Sequence, residues 1–120
     1  MKKLYFILFI LLFYTFLNSQ TLILIDSIPN YLGQHIQICE HVSDVYKAVG
    51  DNKSTFINFG GKYPNNTFTI VILAKDYPNF PYAPVEHLKD KNVCVQGVVT
   101  YHKDKPQIVA RHPEQINVIN

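Results

Sequence analysis

Ser54-Thr-Phe-Ile-Asn-Phe-Gly-Gly-Lys-Tyr-Pro-Asn-Asn-Thr-Phe-Thr-Ile-Val-Ile-Leu73 is the stretch on which the reading of the fold turns. Two strand-forming runs, Thr55–Phe59 and Thr67–Leu73, flank a connection rich in Gly, Pro and Asn. Gly and Asn tolerate positive φ and Pro64 presets a turn, so the stretch reads as a β-hairpin with a long tip. It carries more apolar and aromatic side chains than one buried sheet face needs. That surplus points to a closed barrel, or to a surface on which a ligand stacks.

Outward from the hairpin, the pattern stays short-stranded. His35–Lys47 alternates, with Ile36, Ile38, Val42 and Val45 on one side and Gln37, Cys39, His41 and Asp44 mostly on the other. Asp26–Gly33 reads as a helical or turn lead-in stopped by Gly33, and Gly50-Asp-Asn as a turn. Pro78, Pro81 and Pro84 break the strand pattern; Pro84 to Lys89 suits a helical turn or two, placed to plug one barrel end. Asn92–His102 is again strand around Gly97, a position for a bend that lets one strand serve both sides of a barrel. After a charged turn, Lys103 to Pro106, Gln107–Ala110 begins a fifth strand, and Ile116–Ile119 suits a final strand turn. Five short strands with a short helix between the third and fourth predict an all-β, small antiparallel barrel on the OB-fold plan.

The first twenty residues read differently. Met1-Lys-Lys, an apolar run Leu4–Leu17 and the exit Asn18-Ser-Gln have the three-part layout of a signal peptide. Fourteen apolar residues fall short of the roughly 18–20 that span a bilayer. Cleavage near Ser19 or Gln20 is therefore expected, with an uncleaved anchor as the alternative. The expected organisation is signal peptide 1–20, lead-in 21–34 and barrel domain 35–120, in a secreted or periplasmic protein. The formal charge of +2 includes Lys2 and Lys3; without them nine basic residues face nine acidic ones. A global basic footprint, the usual mark of phosphate-backbone binding, is missing. Any nucleic-acid affinity must come from a local patch.

Three pieces resemble small exported bacterial OB-fold proteins with an anticodon-binding type of OB domain. They are Gly33-x-x-Ile-x-Ile-Cys39, the hairpin from Thr55 to Ile72, and Asn92-Val-Cys-Val-Gln-Gly-Val with Lys105-Pro-Gln-Ile108. The resemblance implies nucleic-acid binding rather than catalysis. Glu40, where a small residue is usual, and the proline-rich middle segment depart from the pattern.

The OB ligand face lies over strands two and three, flanked by the loops joining strands one to two and four to five. Those segments carry Lys47, Lys53, Lys103 and Lys105 with Tyr46, Tyr101 and His102, and the hairpin tip adds Lys62 and Tyr63. Rings that stack bases, interleaved with ammonium groups that meet phosphates, are what a single strand needs. The candidate binding residues are Lys47, Lys53, Phe56, Asn58, Lys62, Tyr63, Tyr101 and Lys103. The plain alternative makes Phe56, Phe59 and Phe68 barrel core and the lysines solvated loop residues. Cys39 and Cys94 fall on strands that pair in such a barrel and share a parity. A disulfide is expected where register brings their Cβ atoms about 3.5–4.5 Å apart, with two reduced thiols as the alternative. The five histidines show no metal-ligand spacing, and no P-loop, Gly-x-Ser-x-Gly or paired-carboxylate motif is present. Asn52-Lys-Ser54 and Asn65-Asn-Thr67 match the glycosylation sequon. The expectation is a binding module, not an enzyme, without cofactor or metal. Its partner is single-stranded nucleic acid or, alternatively, an envelope protein or glycan.

Overall fold

The structure is a computed structural model that describes residues 23–49 and 53–119. The expected signal segment and the Gly50-Asp51-Asn52 turn, with its sequon Asn52, lie outside those residues. Six strands form: β1 (His35–Lys47), β2 (Thr55–Phe59), β3 (Phe68–Ile72), β4 (Asn92–His102), β5 (Lys105–Val109) and β6 (Ile116–Ile119). Neighbours run β1-β2-β3-β5-β4, and β4 pairs back with β1, which closes a five-stranded OB barrel. β3 and β5 are parallel, whereas the other barrel pairs are antiparallel. The final strand turn is a short sixth strand, added to β4 outside the barrel ring.

Two strands each serve two neighbours. β1 pairs with β4 over 35–41 and with β2 over 42–47, and the register shifts between Val42 and Asp44. The extra residue, Ser43, makes a bulge, which bends the strand and re-aims the side chains beside it. β4 pairs with β1 up to Val98 and with β5 from Val99. Gly97 sits just before that change. A Cβ there would lie 2.5 Å from Ile108 Cγ2, so β5 crosses where a side chain would stand. Gly97→Ala is expected to cost about 1–3 kcal/mol through overpacking, measured by denaturant unfolding. A loss below about 0.5 kcal/mol would mean the crossing can relax.

Alternation carries the core. Ile36, Ile38, Ile57, Phe59, Phe68, Ile70, Ile72, Val93, Val95, Val99 and Ile108 all point into one buried cluster. Phe59 and Phe68 face each other across β2 and β3, ring centroids 5.6 Å apart. The helix α1 (Pro84–Leu88) starts on proline and buries Leu88 completely against the β1/β2 end of the barrel. It follows a 3-10 segment, Ala74–Asn79, that carries Pro78. Burial pushes the Tyr82 phenol above its ordinary value, because the charged phenolate is the form that loses hydration.

The lead-in also belongs to the packing. Its 3-10 segment Ile25–Tyr31 buries Ile28, Ile23 is buried beside it, and Gly33 N–H donates to Val99 O at 2.8 Å. Gly33 takes φ +80°, the left-handed stop expected of it. Cys39 faces Cys94 in the β1–β4 register, and the two form a disulfide. Glu40, the departure in β1, is half-buried, and its Oε2 accepts the His41 N–H at 3.3 Å. Among the described residues no helix is long and apolar enough to cross a membrane.

Candidate functional site

Side chains that alternate away from the core line the outer face of β1, β2, β3 and β5 in two rows. Register places Asp44, Asn58, Thr69 and Gln107 side by side, then continues to Thr100 on β4. One rung along, Tyr46, Phe56, Val71 and Val109 form an apolar row. Tyr46 and Phe56 stack with centroids 6.2 Å apart and planes 23° from parallel. Phe56 is half-buried, so its ring is an outer-face platform and not core, in contrast to Phe59 and Phe68.

The hairpin tip folds back over the polar row. Gly60, at φ +73°, approaches Thr67 so closely that a Cβ would lie 2.4 Å from Thr67 Oγ1. Glycine alone fits there. The β1 bulge then holds the tip: Gly61 N–H donates to Ser43 Oγ at 3.1 Å, and Tyr63 N–H to Asp44 Oδ2 at 3.2 Å. Asn58 Nδ2 donates to the same Asp44 oxygen at 3.3 Å. Asn66, buried under the tip, donates to Asn58 Oδ1 at 3.1 Å and to Thr69 Oγ1 at 2.7 Å. Thr69 Oγ1 in turn donates to Asn58 Oδ1 at 2.8 Å. From the other side Lys105 Nζ donates to Asn66 Oδ1 at 3.0 Å and to Pro64 O, and stands 5.7 Å from the Tyr63 ring centroid. Asn58 thus sits at the centre of a linked polar network that sets where the tip lies.

Between the tip, the two rows and the β4–β5 turn is a groove of about 690 Å³. The turn itself has φ +49° at Lys103 and +64° at Asp104, the paired left-handed geometry of a tight hairpin turn. Asp104 is a usual choice for that conformation, whereas Lys103 is not. Its effect is to hold His102, Lys103 and Lys105 along one wall of the groove, opposite Asp44, Tyr46 and Phe56.

Of the eight residues singled out in the sequence, Phe56, Asn58, Tyr63 and Lys103 line this groove. Lys47 instead sits 5.0 Å from the Tyr77 ring centroid, and Tyr77 is hydrogen-bonded to buried Thr55. Lys53, Lys62 and Tyr101 are exposed and outside the lining. Asp44, Asn66, Thr69 and Gln107 line it without having been singled out. Strand parity from Phe56 and Asn58 identifies the face; cross-strand register, which puts Thr69 and Gln107 beside Asn58, carries no local signal. Among the described residues no group of three or more His, Cys, Asp or Glu side chains is placed to hold a metal ion.

No protein-family model matches the sequence, and no curated protein matches it. Solved structures do resemble the fold. An OBody, AM3L09, solved bound to hen egg-white lysozyme, is 14% identical at TM-score 0.60, over 85% of this chain and 96% of that one. A protein described as an aspartyl-tRNA synthetase from Leishmania major Friedlin is 13% identical at TM-score 0.58, over 86% of this chain and 21% of that one. A chain from the yeast Stn1 and Ten1 structure is 14% identical at TM-score 0.55, over 87% of this chain and 65% of that one. At such identities the likeness concerns the fold alone: the chain is a small OB-fold barrel.

Proposed function

We propose that this chain is an exported binding module, without enzymatic activity, that holds single-stranded nucleic acid across β2 and β3. The observation that carries the reading is the stacked Tyr46–Phe56 platform in one groove with Lys103 and Lys105. Bases stack on the rings, and the cationic wall meets the phosphates. Tyr63, exposed on the tip, offers a second ring. Lys53 and Lys62, exposed at the two ends of β2, extend the charge beyond the groove. The disulfide suits an oxidising compartment, in keeping with export.

Fluorescence anisotropy with labelled strands of about eight nucleotides tests this reading. Phe56→Ala is expected to weaken binding by about 1–3 kcal/mol, the worth of one stacked base. Lys103→Asn removes a charge yet suits the positive φ. It should leave stability intact and flatten the slope of log K against log salt by about 0.7. Absence of binding by the unmodified protein at low salt would sink the proposal.

A second reading rests on the polar row. Asp44 and Gln107 offer hydroxyl-binding groups at two places along it, while Asn58 and Thr69 between them are engaged with Asn66 beneath the tip, and the neutral balance after export favours an uncharged ligand. An oligosaccharide or a protein surface fits that chemistry; the OBody, a barrel of this fold, was solved on lysozyme. Salt-insensitive binding of an oligosaccharide, with no oligonucleotide binding, would favour this reading.

A further inference from the structure

The charges in the groove are segregated. Lys103 and Lys105 belong to the β4–β5 wall, and Asp44 to the β1 wall across the Phe56 platform. A phosphate backbone beside Asp44 would meet repulsion, so a strand lying here runs its phosphates along the lysines and turns its base edges towards β1. Asp44 is held there by two donors, Asn58 Nδ2 and Tyr63 N–H, both on Oδ2. Its Oδ1 takes no hydrogen bond among the described residues, and the residue is half-buried. An ionised carboxylate only accepts hydrogen bonds. A base stacked beside it on Phe56 therefore gains when it presents an amino group, and loses when it presents a carbonyl oxygen.

Resting on the nucleic-acid reading above, we infer that Asp44 is a specificity-determining residue that selects bases bearing an exocyclic amino group over thymine or uracil. Cytosine and thymine give the cleanest comparison. Both are pyrimidines of similar stacking area, and cytosine carries N4–H₂ where thymine carries O4. The choice is made by Oδ1, because Oδ2 is already engaged in holding the tip. Asn58 and Tyr63 act here as positioning groups: they fix the carboxylate so that turning towards the base costs little ordering.

The experiment compares oligo-dC with oligo-dT, each about eight nucleotides long, by anisotropy near pH 8 with the full chain. Oligo-dC is expected to bind about tenfold more tightly, the scale of one charge-assisted hydrogen bond. A strand in which 2-pyrimidinone replaces cytosine lacks the amino group without gaining the O4 carbonyl, so it should bind more weakly than oligo-dC and no more weakly than oligo-dT. That arm needs no altered protein. Asp44→Asn keeps an acceptor for the tip and can turn its NH₂ to the groove, so the dC/dT ratio should drop to one or below. The ratio is the readout, since loss of a negative charge raises binding of every strand. Equal binding of dC and dT, or a ratio unchanged in Asp44→Asn, would overturn the inference and leave the groove reading standing. No binding of either strand at low salt would overturn the groove reading itself.

Discussion

Phe59→Ala is expected to destabilise the barrel by about 3–5 kcal/mol, whereas Phe56→Ala, three residues earlier on the same strand, should cost far less. Phe59 is 1% exposed and meets Phe68 inside the cluster that every barrel strand feeds. Truncating it removes the transfer energy of a phenyl ring and leaves a cavity, which the surrounding strands, tied by their ladders, cannot fully close. Phe56 points the other way, against Tyr46 and the groove, where water replaces the lost ring. For a domain of this size each kcal/mol moves Tm by about 4–8 °C, so Phe59→Ala should lower it by at least about 12 °C. Thermal and urea unfolding of both variants, run beside the anisotropy titrations, gives the contrast. Stability lost equally in both would mean that the Phe56 ring is structural and would remove the platform on which the ligand reading depends.

Opening the Cys39–Cys94 bond should cost about 4 kcal/mol, the chain-entropy value for a crosslink 55 residues apart in sequence. The bond lies at the β1–β4 seam, the pairing that closes the barrel. Without it the unfolded chain regains the freedom of that loop, and the closing contacts are among the more distant in sequence. Melts with and without reductant, and of the Cys39→Ala/Cys94→Ala double variant, measure the loss; a drop of about 15–30 °C is expected. A loss below about 1 kcal/mol would show that strand pairing and the core hold the seam unaided. The two effects should add, because Phe59 belongs to the core cluster and neither cysteine of the crosslink does.

Much of this architecture is legible in the chain. Alternation placed β1, β2, β3 and β4 nearly to the residue, since a half-buried strand must repeat every second position. Pro84 opened the short helix, and Gly97 marked the crossing of β4. The fifth strand starts at Lys105, two residues earlier than its apolar pattern, because the tight turn at Lys103 and Asp104 lets pairing resume at once. The lead-in hid its role: Ile23 lies in a continuous apolar run and Ile28 stands alone, so neither shows a strand period, and only the barrel provides the hollow that buries them.

The site divides along the same line. Phe56 and Phe59 are an odd number of residues apart, so their opposite faces follow from the chain alone, as does the presence of Lys103 and Tyr63 at loop tips. Asn66, rather than its neighbour Asn65, is the buried network member, and Lys105 rather than Lys62 reaches it. Those choices depend on how far the tip folds back, which the Ser43 bulge sets. By itself, then, the sequence determined the strands, their two-faced alternation, the hairpin with its long tip and the places of rings and lysines along the chain. These depend on local periodicity and backbone preference. The tertiary structure alone decided which rings remain outside, which of the cations share a wall and that Asp44 faces them. Such matters depend on register between strands distant in sequence, for which no residue carries a local mark.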